Sequence, residues 1–383
     1  MSDSWGFSGR EEKSLGERLL SLNWFIVLLI IAIAGAGIVM QYSVSGGDMQ
    51  PYASRQGIRF LFALGLMMVI AVTDIRIWMA FAYPAWLGGL GMLVAVEFIG
   101  DVGMGGQRWL DVGVLRLQPS ELMKIAVVMA LARYFHGVEW RFRRNLSSLI
   151  MPVFLIALPM VLVMRQPDLG TSLMIFATGI AIMFLAGVPQ WLFWTGGIAG
   201  VAAIPVAWQL MKDYQRSRVL TFLNPEADPL GAGYQITQSK IALGSGGASG
   251  KGFLQGTQSQ LNFLPEMKTD FIFTVLVEEF GLIGGLGILG LFATVLIYAL
   301  LMGLGARSQF GRLMAGGLSF TLFLYVVINI GMVMGMMPVV GVPLPLLSYG
   351  GSAMLTFMVA YGLVLSVATH RQVTLAPKGS GLG

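Results

Sequence analysis

Apolar runs close to 20 residues long recur along the chain, each long enough to cross about 30 Å of hydrocarbon as a helix. Lipid offers no partner for backbone N–H and C=O groups, so spans this continuous must satisfy themselves as helices. Charge content agrees: 11% of the 383 residues are Asp, Glu, Lys or Arg, against about a quarter in a soluble domain. The sequence predicts an all-α polytopic membrane protein with about ten transmembrane helices, near 23–42, 57–73, 77–99, 119–135, 148–164, 171–187, 190–210, 270–303, 312–335 and 345–369. The eighth is too long for one untilted crossing, and part of it is expected to extend beyond the bilayer.

Charge bias orients these spans. With a cytoplasmic N-terminus, the inner segments collect Arg10, Lys13, Arg18, Arg76, Arg133, Arg141, Arg143, Arg144, Arg307, Arg312, Arg371 and Lys378. The short outer loops hold Arg55, Arg59, Arg108, Arg116 and Arg165. Both termini are therefore expected in the cytoplasm, with one long extracytoplasmic loop, about 211–269, between spans seven and eight. The net charge of +5 is then an orientation signal, and nucleic acid is not an expected partner. Residues 1–22 read as a cytoplasmic tail, 23–369 as one membrane domain and 370–383 as a second tail. The first apolar stretch lacks a small-residue cleavage pattern and reads as a retained anchor. The absence of cysteine excludes disulfides, thiolate metal sites and cysteine nucleophiles.

Asp270 stands where the polar loop gives way to the eighth span, in Leu264-Pro265-Glu266-Met267-Lys268-Thr269-Asp270-Phe271. A carboxylate at a membrane boundary is costly and marks a functional site by default. Asp270, Thr274 and Glu278 are four apart and would share one helical stripe. The helix dipole would favour the ionised form of Asp270. Helix capping by Asp270 or Thr269 is the alternative to a general base that accepts a hydroxyl proton from the outer side.

Two further clusters are polar. In Gln107-Arg108-Trp109-Leu110-Asp111 followed by Gln118-Pro119-Ser120-Glu121-Leu122-Met123-Lys124, Pro119 and Ser120 suit a helix start. Glu121 and Lys124, three apart, would neutralise each other within the membrane; alternatively Lys124 and Arg108 would bind a phosphate. In Arg165-Gln166-Pro167-Asp168-Leu169-Gly170-Thr171-Ser172, Asp168 with Thr171 would cap the next helix, a reading that competes with a functional one.

The run Gly244-Ser245-Gly246-Gly247-Ala248-Ser249-Gly250-Lys251-Gly252 is not a phosphate-binding P-loop. Ser245 occupies the position of the first glycine, and Gly252 follows the lysine where Ser or Thr is needed. A flexible loop is expected there. His136 and His370 sit at cytoplasmic span ends, unsuited to a metal site. Asn329 offers an interhelical hydrogen bond in the ninth span. Pro343-Leu344-Pro345 through Gly350-Gly351-Ser352 predicts a broken or re-entrant start to the last span.

These motifs, in this order, resemble the SEDS family (shape, elongation, division and sporulation). The stretches at 107–111, 118–124, 166–172, 234–243, 264–273 and 329–352 carry the resemblance, and Thr257-Gln258-Ser259-Gln260-Leu261-Asn262-Phe263-Leu264-Pro265-Glu266 leans to the RodA-like elongation branch. The resemblance implies a peptidoglycan glycosyltransferase that polymerises lipid II on the outer face of the bacterial cytoplasmic membrane during elongation. It places the catalytic residue at Asp270 and substrate-binding positions at Arg108, Glu121, Lys124 and Asp168. Glu266 and Lys268 join them as neighbours of Asp270. A divalent cation, Mg or Mn, is an expected aid to the phosphate leaving group. The implied partners are lipid II, a class B penicillin-binding protein transpeptidase and the elongation machinery. The chain departs from the family at Lys268, where histidine is usual; a cation there would favour ionised Asp270 or help hold pyrophosphate. The competing reading is a lipid II flippase, since intramembrane charges and broken helices also suit transport, although no internal duplication is visible. A noncatalytic scaffold is the third.

Overall fold

The computed structural model describes residues 15–375, apart from 104–105, 112–115, 140–142, 144, 229–230 and 261–265. Of the tails expected at 1–22 and 370–383, residues 1–14 and 376–383 thus lie outside the described residues, as do Arg10, Lys13, Arg141, Arg144, Lys378 and residues 261–265 of the branch-specific motif.

After α1 (Leu15–Leu20), four helices and a small sheet follow in order: α2 (Trp24–Val44), α3 (Tyr52–Val72), α4 (Ile75–Ile99), strands β1 (Asp101–Gly103), β2 (Gly106–Asp111) and β3 (Arg116–Leu117), and α5 (Pro119–Gly137). Then come α6 (Leu146–Arg165), α7 (Leu169–Leu185), α8 (Gln190–Leu210), α9 (Asp213–Leu223), α10 (Ala232–Ser245), α11 (Thr257–Gln260), α12 (Ile272–Leu304), α13 (Gln309–Val333) and α14 (Gly351–Thr369). The ten expected spans map onto α2 to α8 and α12 to α14. Eight of these ten are long and apolar enough to cross a membrane by length and composition alone. Of the other two, α5 sits inside the bundle, where neighbours replace lipid, and α7 is a shorter apolar helix with Leu173, Phe176, Phe184 and Leu185 exposed. Helix α5 carries Glu121, Lys124 and Arg133 and buries most of its residues, while α7 has 17 residues. Helix α8 is the opposite case, with no buried residue.

Helix starts follow local chemistry. Asn23, Asp74, Asp168 and Ser308 each accept a hydrogen bond from the first turn of the helix that follows. The sequence reading missed the antiparallel sheet β1–β2–β3, because its short, charged strands give no alternating apolar pattern. Ser352 Oγ ties this hairpin to the start of α14 by donating to the Arg116 carbonyl at 2.8 Å.

The last span starts at Gly351 rather than near 345. Residues 338–350 are irregular, and side chains of the bundle satisfy their backbone. Gln56 Nε2 donates to Leu346 O and Ser348 O, Gln41 Nε2 donates to Leu347 O, and Ser348 Oγ accepts from Leu344 N. Irregular backbone persists at this depth because protein, not lipid, surrounds it.

The long loop departs most from expectation. It contains α9, α10 and α11, and the glycine run is docked instead of flexible. Lys251 N donates to Glu278 O and Gly252 N to Glu279 O, both at 3.0 Å, while Leu282 N and Ile283 N donate back to Gly247 O and Ala248 O. These bonds exist because α12 breaks at Gly281 (φ 67°, ψ −168°), which frees its backbone for partners outside the helix. The break also answers the excess length of the eighth span: 272–280 forms a separate piece ahead of the longer apolar segment. Glycine permits the contact. A Cβ at Gly250 would lie 2.1 Å from Glu279 O, and one at Gly281 2.3 Å from Gly250 N.

Gly250→Ala or Gly281→Ala should therefore cost at least about 2 kcal/mol, combining backbone strain with a clash against main chain. Gly287→Ala, where an added Cβ meets nothing within 4 Å, should be neutral or better. Thermal unfolding in detergent compares the three, and equal melting temperatures would refute the docking role.

Candidate active site

Asp270 is not on a helical stripe with Thr274 and Glu278, because α12 begins at Ile272. The residues before it form a turn: Thr269 N and Phe271 N both donate to Glu266 O at 3.2 Å, and Thr269 Oγ1 donates to Glu266 Oε2 at 2.8 Å. Asp270 does not cap α12 either, since Phe271 holds the cap position without a side-chain bond. Thr274 shares a hydrogen bond with Ser239 of α10 at 2.8 Å. Glu278 accepts from Lys251 Nζ at 2.7 Å, Thr257 Oγ1 at 3.1 Å and Gln258 N at 2.9 Å.

The turn is held by its backbone from two sides. Asn329 Nδ2 of α13 donates to Asp270 O and to Val342 O, each at 2.8 Å. Gln41 Nε2 and the Tyr349 N–H donate to Lys268 O at 2.9 and 2.8 Å. The Asp270 side chain stays partly exposed and faces Gly341 (φ +79°), where an added Cβ would lie 3.4 Å from Oδ2. Burial pushes this carboxyl up to about 7, the Glu266 carboxylate adds to the rise, and Arg218 of α9 opposes it. At neutral pH it is thus poised between its two forms, whereas the helix-dipole argument favoured ionisation alone. Lys268 Nζ lies 3.9 Å from the centroid of the Tyr52 ring.

Arg108, Asp168 and Gln118 meet at the α6–α7 corner. The Arg108 guanidinium donates from Nε to Gln166 O at 3.0 Å and from Nη2 to Pro167 O. Asp168 is 7% exposed; its Oδ1 accepts from Thr171 N and its Oδ2 from Gln118 Nε2, both at 3.1 Å. Capping of α7 by Asp168 is therefore present, and β2 is stapled to this corner through Arg108.

Glu121 and Lys124 form the ion pair the spacing allowed, at 2.7 Å, with exposures of 5% and 1%. Tyr325 of α13 completes it: Lys124 donates to the Tyr325 hydroxyl, which donates to Glu121 Oε2, and the ammonium lies 4.2 Å from the ring centroid. Tyr325 was not singled out from the sequence, although a tyrosine one helical turn before Asn329 in an apolar span is a readable sign of a shared polar face. Arg218 and Gly341 carried no comparable signal. Their roles depend on how α9 and the irregular segment fold back onto Asp270.

Removing one partner of a buried ion pair strands the other charge, so Lys124→Met should destabilise the protein by about 3–5 kcal/mol. Adding Glu121→Gln should recover part of that loss in the same detergent melting assay, because no buried charge remains. If the double variant is as unstable as the single one, charge compensation is not what this cluster supplies.

Comparison with known proteins is consistent along the whole chain. The family model for FtsW, RodA and SpoVE, described as "Cell cycle protein", matches residues 20–373. The peptidoglycan glycosyltransferase MrdB of Escherichia coli K12 is 45% identical over 349 residues, covering 91% of this chain and 94% of that protein. A probable peptidoglycan glycosyltransferase FtsW of Geobacter sulfurreducens is 33% identical, covering 90% and 94%. Among solved structures, a chain of a peptidoglycan synthase complex superposes with a TM-score of 0.80 at 30% identity, covering 92% of this chain and 99% of that one. The Thermus thermophilus rod shape determining protein RodA gives 0.70 at 27% identity, covering 93% and 99%. This multi-pass membrane protein thus belongs to the FtsW/RodA/SpoVE family, the SEDS proteins its motifs resemble, and is more similar to MrdB than to that FtsW.

Proposed function

We propose that this chain is a peptidoglycan glycosyltransferase that polymerises lipid II during cell elongation, with Asp270 as its general base. The observation that carries the base assignment is the setting of Asp270: a carboxyl poised near 7, partly open, on a turn whose backbone is fixed from two sides. A base works best when its proton affinity lies near the working pH. Membership of a family whose MrdB and FtsW members are called peptidoglycan glycosyltransferases supports the reaction.

In the proposed step the acceptor sugar's 4-hydroxyl attacks the anomeric carbon of the donor. Asp270 takes the hydroxyl proton, the new C–O bond forms, and the bond from that carbon to undecaprenyl pyrophosphate breaks. The donor configuration inverts. Lys268 offsets the charge that builds on the leaving group, and Arg108, Glu121, Lys124 and Asp168 shape the substrate cavity or hold its walls. Among the described residues no three His, Cys, Asp or Glu side chains cluster as a metal site. One carboxylate with substrate phosphates is nevertheless a set that Mg accepts, and Glu266, beside Asp270, would supply it. A cation there would neutralise phosphate charge. The proposed orientation puts both termini in the cytoplasm and Asp270 with α9 to α11 outside, and the expected partner is a class B penicillin-binding protein that crosslinks the strands. The peptidoglycan synthase complex containing a structural relative fits such a pairing.

The test is polymerisation of purified lipid II by wild type and Asp270→Asn, with the cognate transpeptidase present and its crosslinking blocked. Polymer from the wild type alone, with the variant folded, is the expected result. Equal polymer from both would remove Asp270 from the mechanism, and lipid II flipping without polymer would favour a transporter.

The pH profile adds a second prediction. Below about 7 the rate should rise about tenfold per pH unit and then level off. Glu266→Gln removes a neighbouring negative charge and should move the inflection down; Arg218→Gln removes a positive one and should move it up.

A further inference from the structure

Four side chains beside the Asp270 turn form a cluster that the proposed mechanism leaves almost unused. Lys268 Nζ lies 3.9 Å from the Tyr52 ring centroid, and Arg59 Cζ lies 5.0 Å from the Tyr349 ring centroid. The two rings meet edge to face at 5.1 Å, so the cations flank one aromatic pair. Backbone joins this cluster to the active-site turn, because the Tyr349 N–H donates to Lys268 O at 2.8 Å, two residues before Asp270. Arg59 also runs along the start of α14, its Nε 3.6 Å from where a Cβ on Gly351 would lie.

Three basic residues elsewhere in the protein are neutralised by carboxylates. Lys124 pairs with Glu121, Lys251 with Glu278, and Arg116 with Asp101 and Asp111. Among the described residues, Arg59 and Lys268 have no carboxylate within 4 Å and donate no side-chain hydrogen bond. Both are half-buried, as are both tyrosines. Each tyrosine face attracts its cation and holds it in place, but leaves its N–H donors unused. Two uncompensated cations, pre-positioned and partly shielded from water, form a receptor for a doubly charged anion.

We infer that Arg59, Lys268, Tyr52 and Tyr349 form a diphosphate subsite next to Asp270, which binds the pyrophosphate diester of the lipid-linked sugar donor. Arg59 supplies the planar fork for one phosphate and Lys268 the point charge for the other, and the tyrosines position them. This rests on the glycosyltransferase reading and adds to Lys268 the residues Arg59, Tyr52 and Tyr349 that complete recognition of the leaving group. An anionic phospholipid headgroup shares the phosphate chemistry, and the test separates the two.

The experiment measures lipid II polymerisation kinetics in nanodiscs, with the transpeptidase present, for wild type, Arg59→Gln and Arg59→Met. The second variant keeps an apolar stem in the half-buried site should Gln fail to fold. Loss of a charged hydrogen bond predicts that KM for lipid II rises about tenfold while kcat changes less than about twofold. Added undecaprenyl pyrophosphate should inhibit the variant about tenfold more weakly, and Arg59→Lys should recover part of both effects. Zwitterionic nanodiscs should give the same result as discs containing phosphatidylglycerol. An Arg59 effect seen only with phosphatidylglycerol would assign the cluster to a phospholipid and overturn the proposal. So would an unchanged KM and unchanged inhibition in a folded variant whose wild type makes polymer. Absence of polymer from the wild type would instead strike the glycosyltransferase reading itself.

Discussion

Buried polarity in a bilayer protein must be matched within the protein, and one stripe of α13 ties four separate elements together by such matching. Thr321, Tyr325 and Asn329 follow one another at four-residue intervals, so they share a face. Thr321 meets Thr178 of α7 at 3.3 Å, Tyr325 closes the Glu121–Lys124 pair of α5, and Asn329 holds the carbonyls of Asp270 and Val342. Helix α13 thereby links α5, α7, the start of α12 and the irregular segment before α14. Apolar packing alone would leave these elements free to slide, since side chain against side chain differs little in energy from side chain against lipid. Hydrogen bonds at three fixed heights select one register.

The turn carrying Asp270 and the docked glycine arc solve a related problem. A general base of the kind proposed for Asp270 needs open space on one side and a rigid support on the other. The break at Gly281 separates the short 272–280 piece from the long apolar segment. The arc from Gly246 to Gly252 lies on that break, and Lys251 and Thr257 then reach Glu278, which is fully buried. Ser43 of α2 donates to Glu279 on the adjoining residue. Two carboxylates that would be expensive in lipid are thus matched here, Glu278 by the long loop and Glu279 by α2.

The spans were legible because bilayer thickness fixes their length and apolar character, and the ten expected segments correspond to ten helices with end shifts of a few residues. The largest shift, at α14, arises where proline and tertiary hydrogen bonds replace helix. Partnerships within one helix were also readable: Glu121 with Lys124, and Asp168 over its own helix start. Partnerships across the fold were not. Nothing local in the glycine run reports that it docks on α12, nothing near Arg218 reports its approach to Asp270, and the strands at 101–117 are too short to show a period. The stripe drawn through 270, 274 and 278 failed for a similar reason, since the residues around Glu266 close a turn that periodicity does not see.

Asn329, Gln41 and the Tyr349 N–H grip the Asp270 turn only by its carbonyl oxygens. No bond in that grip depends on which side chain stands at 270. Architecture and chemistry are therefore separable inheritances in this protein. If Asp270 acts as the proposed base, a lineage could lose the carboxylate and keep the same fold and membrane placement, becoming an inert copy. The same separation would let a new reactive group arise at 270 without rebuilding the bundle that presents it.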